Sequence, residues 1–232
     1  MAAFNQCRTA LEPSPDCPIC PRLAEHRRSL RTVNPEWHNA PVPSFGTPRA
    51  SLLVVGLAPG RNGANRTGRP FTGDFAGDLL YDTLLSFGFA QGTYGASRSD
   101  GLELLSCMIT NAVRCVPPHN KPAPGEIKNC RAYLAATIAA LKELRVIVAL
   151  GRVAHDSVLR AIEARPAAFP FSHGAEYVVE TGDASQSQGR PDKELTLIDS
   201  YHCSRYNTNT GVLTQEMFRM VFGKARARLQ GP

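Results

Sequence analysis

The sequence predicts an α/β protein with a three-layer αβα fold around a central four-stranded parallel sheet. Four short apolar segments have the uninterrupted hydrophobicity of strands buried on both faces, at residues 51–56, 106–110, 145–150 and 195–199. Helical patterns lie between or after these strands, at residues 74–87, 125–144, 152–164 and 214–229. Strands that alternate with helices favour a parallel sheet covered on both faces.

The remaining segments add an edge and connections to this core. Residues 177–180 are predicted to form an antiparallel edge strand, which the polar loop 182–193 joins to the fourth core strand. The proline-rich stretch 33–48 is expected to be an extended connection rather than a domain boundary. We therefore expect residues 1–232 to form one domain.

Composition narrows the class of protein. No window approaches the roughly 18 apolar residues of a membrane span, and the first residues lack a secretory pattern. Seven cysteines without such a signal indicate a reducing compartment, so we expect a cytoplasmic protein with ligand or buried thiols, and a monomer by default. The net charge of +6 favours a polyanionic partner.

Four of the cysteines form a pattern typical of a metal site. Two residues separate Cys17 from Cys20, and Cys115 and Cys130 follow far downstream with fourteen residues between them. Four thiolates can bind an iron–sulfur cluster or a structural zinc ion, and the spacing does not decide between the two. A thioredoxin-like redox pair is disfavoured, because such a C-x-x-C opens a helix after a strand and this one precedes the whole sheet.

Three polar segments follow predicted strands directly, at residues 56–74, 111–124 and 199–207, and should meet at the rim where α/β sheets bind ligands. The first contains five glycines and three arginines. Glycine lets the backbone approach a ligand closely, and arginine pairs with phosphate. The segment matches neither the P-loop nor the dinucleotide fingerprint, so a solvated loop is the alternative interpretation.

Four side chains in these segments have both a structural and a functional interpretation. Phe71, among polar residues, is either core filler or a platform for a planar ligand. Asp74 directly precedes a helix, so it is either the N-cap or a catalytic carboxylate. Asn111 lies at the end of a strand, so it is either a turn former or a residue that hydrogen-bonds the edge of a base. His202 lies in a polar loop, which favours function.

The other histidines and cysteines receive a structural interpretation. His155 lies inside a predicted helix and His173 in a connecting segment. A nucleophilic Cys203 with His202 as its base is disfavoured, because adjacent side chains on an extended segment point apart. Cys107 lies in a predicted strand, where burial is expected.

Together these segments resemble the family 5 uracil-DNA glycosylases, the iron–sulfur branch of that superfamily. The resemblance extends from residue 17 to about residue 218. Its most specific part is GLAPG at 56–60 followed by GANRTGRPFTGD at 63–74, and NAVRC at 111–115 and HCSRYN at 202–207 fall where the family has them. The four cysteines match the family's [4Fe–4S] ligands in order and approximate spacing, which favours a cluster over zinc.

The resemblance implies hydrolysis of the bond between a damaged base, usually uracil, and its sugar in DNA, after the base has left the stack. It implies that Asp74 activates water or stabilises the cationic sugar, that Asn111 hydrogen-bonds the base, and that His202 stabilises charge on the departing base. Base contacts are also implied for Phe71 and for the backbone at Leu57 and Ala58. The implied DNA contacts are Arg61, Arg66, Arg69, Ser204, Arg205 and Tyr206.

The resemblance also implies a structural role for the cluster, whose ligands would tie the N-terminal segment 1–48 to the rest of the domain. Apolar Leu57 and Ala58 stand where several other branches have a polar residue that handles water. This departure predicts acceptance of further deaminated bases such as hypoxanthine. Two rival hypotheses are a non-catalytic iron–sulfur or zinc DNA-binding protein and an α/β enzyme that hydrolyses nucleotides.

Overall fold

The computed structural model describes residues 12–181 and 193–231. The described strands are β1 (Phe45–Gly46), β2 (Leu52–Gly56), β3 (Ala90–Gln91), β4 (Glu103–Leu104), β5 (Cys107–Asn111), β6 (Val146–Leu150), β7 (Glu176–Thr181) and β8 (Lys193–Ser200). The described α-helices are α1 (Pro21–Val33), α2 (Ala64–Thr67), α3 (Phe75–Ser86), α4 (Pro124–Ala140), α5 (Arg152–Ala161), α6 (Arg205–Asn209) and α7 (Gln215–Gln230). No helix in these residues is both long and apolar enough to cross a membrane.

The main sheet has six strands in the order β1-β5-β2-β6-β8-β7. The four inner strands are parallel, as predicted, and the two edge strands are antiparallel to their neighbours. Every residue of β2 and β6 is buried, which explains why these strands read as continuous apolar runs. A separate antiparallel pair, β3 with β4, lies outside this sheet.

Two hydrophobic clusters cover the two faces of the sheet. Alternate β2 residues point in opposite directions, so Leu52 and Val54 pack with α3 and α7, whereas Leu53 and Val55 pack with α4 and α5. Each face therefore buries its own apolar layer against a pair of helices. This arrangement confirms the predicted three-layer fold.

Several connections differ from the sequence prediction. The expected edge strand at 177–180 is confirmed as β7, whereas the polar loop predicted before β8 lies outside the described residues except at Lys193. The proline-rich stretch contains the two-residue strand β1, which is too short to give a periodic signal. Helix α1 was missed because Arg27 occupies the apolar stripe between the buried Leu23 and Leu30.

Candidate active site

The carboxyl ends of β2 and β5 lie at the candidate site, which is called the cleft here and is defined by Gly56, Phe71, Asp74, Asn111 and His202. Gly56 and Asn111 are register partners at the ends of their strands. A Cβ atom at Gly56 would lie 2.4 Å from Asn111 Oδ1 and 2.5 Å from Phe71 Cζ. A side chain at this position would therefore collide with the Asn111 amide and the Phe71 ring, which explains the glycine.

Asn111 presents an unpaired acceptor in this cleft. Its side chain is buried, and its Oδ1 accepts no hydrogen bond within the described part of the chain. A buried polar atom without a partner costs roughly 1–3 kcal/mol. Its amide has the donor and acceptor groups that recognise the edge of a base. The interpretation as a base reader agrees with this position.

Phe71 and His202 lie side by side in the cleft. Their ring centroids are 5.9 Å apart, with an interplanar angle of 28°. Phe71 has a φ of 51°, a left-handed conformation that is strained for a bulky residue. Although Phe71 is buried within the core cluster, its ring stacks on His202 and lies on the same side of Gly56 as the Asn111 amide. It is thus both core filler and a cleft wall.

Asp74 caps a helix through one carboxylate oxygen and faces the first loop with the other, while its catalytic role stays a prediction. Its Oδ1 accepts a hydrogen bond from Gly77 N at 3.2 Å, which makes it the N-cap of α3. Its Oδ2 faces the first loop, where a Cβ at Gly63 would lie only 2.2 Å away. Burial raises the pKa of this half-buried carboxyl, an effect that the amide of Gly77 opposes.

His202 lies two residues beyond β8. Burial lowers the pKa of this histidine to about 4, so its ring is neutral at pH 7 and has one N–H to donate. The following residues hold its loop in place, since Asn207 Nδ2 donates to the His202 carbonyl at 2.8 Å. Cys203 Sγ contacts the Ala76 carbonyl at 3.5 Å, which ties the loop to the first turn of α3.

The hypothesis of a nucleophilic Cys203 is wrong. Its side chain is completely buried. Burial and the nearby Asp74 carboxylate raise the pKa of the Cys203 thiol well above its ordinary value. The thiol is therefore a packing group.

Leu57 and Ala58 lie directly after β2 and are half-buried. The Leu57 carbonyl accepts a hydrogen bond from Val113 N at 3.0 Å, which joins the first loop to the segment after β5. Ala58 packs against the cysteine-containing cluster of Leu23, Val113, Cys115 and Cys130. Contact of this backbone with a base stays a prediction.

Five of the six predicted DNA contacts are exposed or half-buried, and the sixth is buried. Arg61, Arg66 and Arg205 are exposed, Ser204 is half-buried as the N-cap of α6, and Tyr206 is 74% exposed. Arg69, by contrast, is buried, and both of its terminal nitrogens donate to Asp100 at 2.8 and 2.7 Å. The prediction that Arg69 contacts phosphate is therefore wrong, because its charge is already paired inside the protein.

The four predicted ligand cysteines line one pocket between α1, the segment after β5 and α4. Three N–H groups point at their sulfurs: Arg27 Nη1 lies 2.9 Å from Cys115 Sγ, Arg114 N 3.4 Å from Cys130 Sγ, and Asn129 Nδ2 3.6 Å from Cys20 Sγ. Among the described residues, however, no group of three or more His, Cys, Asp or Glu side chains is arranged to hold a metal ion. Metal binding stays a prediction.

Sequence reasoning missed two residues near these sites. Tyr94 contacts the backbone of Phe71 and Gly73 through its hydroxyl, and its only sequence signal is an aromatic residue in a glycine- and serine-rich segment. Arg27 was missed together with α1. His155 and His173 are structural, as predicted, because His155 hydrogen-bonds Asp199 and the Phe169 carbonyl and His173 accepts from Tyr201 N.

Comparison with known proteins identifies the family of this chain. Residues 43–226 match the family model of the uracil DNA glycosylase superfamily. The chain is 42% identical to a type-5 uracil-DNA glycosylase of Thermus thermophilus over 99% of this chain and 98% of the relative. It is 38% identical to the type-5 enzyme of Pyrobaculum aerophilum over 91% and 88%.

A type-4 uracil-DNA glycosylase of Sulfurisphaera tokodaii is 31% identical over 78% of this chain and 72% of the relative. The type-5 relatives are thus more similar to the chain, and over a greater length, than this type-4 relative. The chain belongs to the uracil DNA glycosylase superfamily and, within it, to the type-5 uracil-DNA glycosylases.

Proposed function

We propose that this protein removes uracil, and also hypoxanthine, from DNA by hydrolysing the N-glycosidic bond and leaving an abasic site. The observation that supports this most directly is the unpaired Oδ1 of the buried Asn111, which lies beside the ring of Phe71. A planar base that has left the stack would supply the missing hydrogen-bond partner and a face for the aromatic ring.

Each cleft residue has a role that follows from its surroundings. Asn111 binds the edge of the flipped base, and Phe71 stacks on it. As the glycosidic bond breaks, negative charge develops on the base, and the neutral ring of His202 donates its N–H to a carbonyl oxygen there. A neutral donor suits this step because it carries no charge that would have to be desolvated in the free enzyme.

Asp74 acts on the other side of the broken bond. When ionised, its carboxylate stabilises the positive charge on the sugar and orients the attacking water. The Asp74 carboxylate accepts the proton that the attacking water loses, and the new hydroxyl group stays on the sugar. Burial raises the pKa of Asp74, so this carboxylate should become protonated at a higher pH than an ordinary aspartate, whose pKa is about 3.9. As the pH is lowered, the cleavage rate should therefore begin to fall before the pH reaches that value.

The hypoxanthine activity rests on the apolar Leu57 and Ala58 after β2. These residues place no polar side chain at the point where a selective gate would stand. The larger purine would therefore meet only apolar side chains and backbone there, so its exclusion would have to come from shape alone.

DNA contacts are proposed for the exposed Arg61, Arg66 and Arg205, with Ser204 beside them and Tyr206 filling the space that the flipped nucleotide leaves.

We include a [4Fe–4S] cluster, held by Cys17, Cys20, Cys115 and Cys130, in this proposal. The shared pocket and the three N–H groups aimed at sulfur fit anionic thiolate ligands. When bound, the cluster supplies a crosslink between three segments and no chemical step, because hydrolysis transfers no electrons. Iron and sulfide analysis of wild type and of Cys17→Ala tests this, and zinc in place of iron would contradict it.

The glycosylase proposal is tested with a duplex oligonucleotide that contains a single uracil or hypoxanthine. Alkali-revealed strand cleavage is expected with wild type and not with Asp74→Ala. Asp78→Ala is the matched control, since Asp78 lies exposed in the first turn of the same helix and should leave cleavage unchanged. Binding without cleavage would favour the DNA-binding alternative, and cleavage of free deoxyuridine monophosphate alone would favour the nucleotide hydrolase.

A further inference from the structure

The segment that precedes Asp74 contains two residues with positive φ, of which only Phe71 is strained, because glycine adopts such angles freely. Phe71 has a φ of 51°, and Gly73, two residues later, has a φ of 89°. Residues 71–73 connect the stacking ring to the carboxylate, so their conformation determines how Phe71 and Asp74 lie relative to each other. A strained segment of this kind persists only if surrounding contacts fix it.

The hydroxyl of Tyr94 makes both of its hydrogen bonds to this segment. It donates to the Phe71 carbonyl at 3.3 Å and accepts from Gly73 N at 3.3 Å. Gly77 allows this approach, because a Cβ there would lie 1.9 Å from the Phe71 carbonyl and 2.5 Å from the Tyr94 hydroxyl. A single phenol thus bridges the strained Phe71 and the glycine that follows it two positions later.

The Tyr94 ring is itself held by a buried charged pair. It stacks on Tyr81 at a centroid distance of 4.5 Å, and the Arg69 guanidinium lies 5.7 Å from its centroid. Arg69 pairs with Asp100, whose carboxylate also accepts from Gly95 N at 2.9 Å, next to Tyr94. Burial raises the pKa of Tyr94 to about 12, so the hydroxyl keeps its proton at working pH.

We propose that Tyr94 is a positioning residue, which fixes Phe71 and Asp74 relative to the flipped base, with Arg69 and Asp100 holding Tyr94 in turn. This inference rests on the proposed glycosylase function and adds to it. Because Tyr94 acts through the segment 71–73, its removal should lower the rate of bond cleavage in bound DNA and leave the affinity for DNA unchanged.

The test compares Tyr94→Phe with Tyr177→Phe, which also loses a hydroxyl that donates to a backbone carbonyl, in this case that of Pro170 and from the edge strand β7. The measurements are the single-turnover rate with saturating enzyme, the Kd for duplex DNA with a tetrahydrofuran abasic analogue, and the Tm. We expect Tyr94→Phe to lower the rate roughly tenfold, with Kd and Tm matching those of Tyr177→Phe.

Equal rates for wild type, Tyr94→Phe and Tyr177→Phe would overturn this inference alone, as would a rate loss that is matched by a weaker Kd. No excision by the wild type would instead overturn the proposed function. Should Tyr94→Phe not fold, Asp100→Asn provides the second test. It keeps the size of the side chain but removes the charge that holds Arg69, and it should lower the rate at unchanged Kd; an unchanged rate would overturn the inference.

Discussion

Two histidines near the carboxyl ends of the strands have opposite surroundings. His155 has both ring nitrogens paired, with Asp199 Oδ1 at 2.7 Å and the Phe169 carbonyl at 2.8 Å. Burial acts to lower the pKa of His155, but the Asp199 carboxylate outweighs it, so the pKa is raised. In the cleft, burial acts alone on His202 and lowers its pKa to about 4.

The same contrast separates two aspartates. Asp100 is paired with Arg69, which holds the pKa of that carboxyl well below its usual range. Asp74, in the cleft, receives a backbone N–H but pairs with no cation among the residues that the structure describes, and its pKa is raised. In the supporting region, defined here as His155, Asp199, Arg69 and Asp100, each charged group has a partner of opposite charge. The polar groups of the cleft, by contrast, remain available to bind a ligand.

The largest expected effect belongs to Asp74→Asn. Removing the charge should lower the single-turnover rate of uracil excision by roughly a thousandfold, because no other carboxylate of the cleft can replace it. The measurement is a quench time course with enzyme in excess over duplex DNA. A loss below tenfold would place water activation on another residue and weaken the contrast between Asp74 and Asp100.

His202→Ala should lower the same rate by roughly a hundredfold, the size expected for one donor to developing charge. Because the wild-type ring is neutral above about pH 4, the wild-type profile should contain no ionisation of His202 between pH 5 and 8. Rate measurements across that pH range check this. A bell-shaped profile with a limb that disappears in His202→Ala would show a protonated ring instead.

His155→Asn tests whether the supporting region contributes to stability rather than to the reaction. Leaving Asp199 buried without its partner should cost about 3 kcal/mol, with the rate at permissive temperature nearly unchanged. Since the folded-state pKa of His155 is raised, its contribution is fully present below the unfolded pKa of about 6.5 and is lost as pH rises through the folded value. Urea unfolding at pH 6 and pH 9 should therefore show the larger loss at pH 6.

The smallest effect concerns the stability of Asp74→Asn. Between the unfolded and the raised folded pKa, the folded protein binds a proton that the unfolded chain has released, so stability falls as pH rises through this window. Asparagine is an equally good N-cap. The variant should therefore be more stable than wild type at pH 7, and a lower Tm at that pH would contradict the raised pKa.

The sequence predicted the parts of the fold that depend on local pattern. The four parallel strands and the helices after them follow from uninterrupted apolar runs and helical periodicity. The fate of Arg69 could not be predicted, because its partner Asp100 is 31 positions away and arginine beside glycine is equally typical of a phosphate-binding loop. Helix α1 was hidden for a related reason, since a buried arginine broke its apolar stripe.

For the candidate site, the sequence could predict only the residue types and their places at the ends of strands. Topology brings Asn111 beside Gly56, and this follows from parallel register. That Asp74 is both cap and cleft residue depends on the close approach of Gly63, which no spacing rule gives. The Tyr94 bridge joins segments that only the folded chain brings together.

The most direct test of the contrast between cleft and support is a histidine NMR titration of the folded protein. The sequence contains six histidines, which single substitutions can assign. We predict that the His202 ring titrates near pH 4 and is neutral at pH 7, while His155 titrates above the ordinary histidine value. A His202 ring that titrates at or above about 6.5, or a His155 ring below it, would contradict the account.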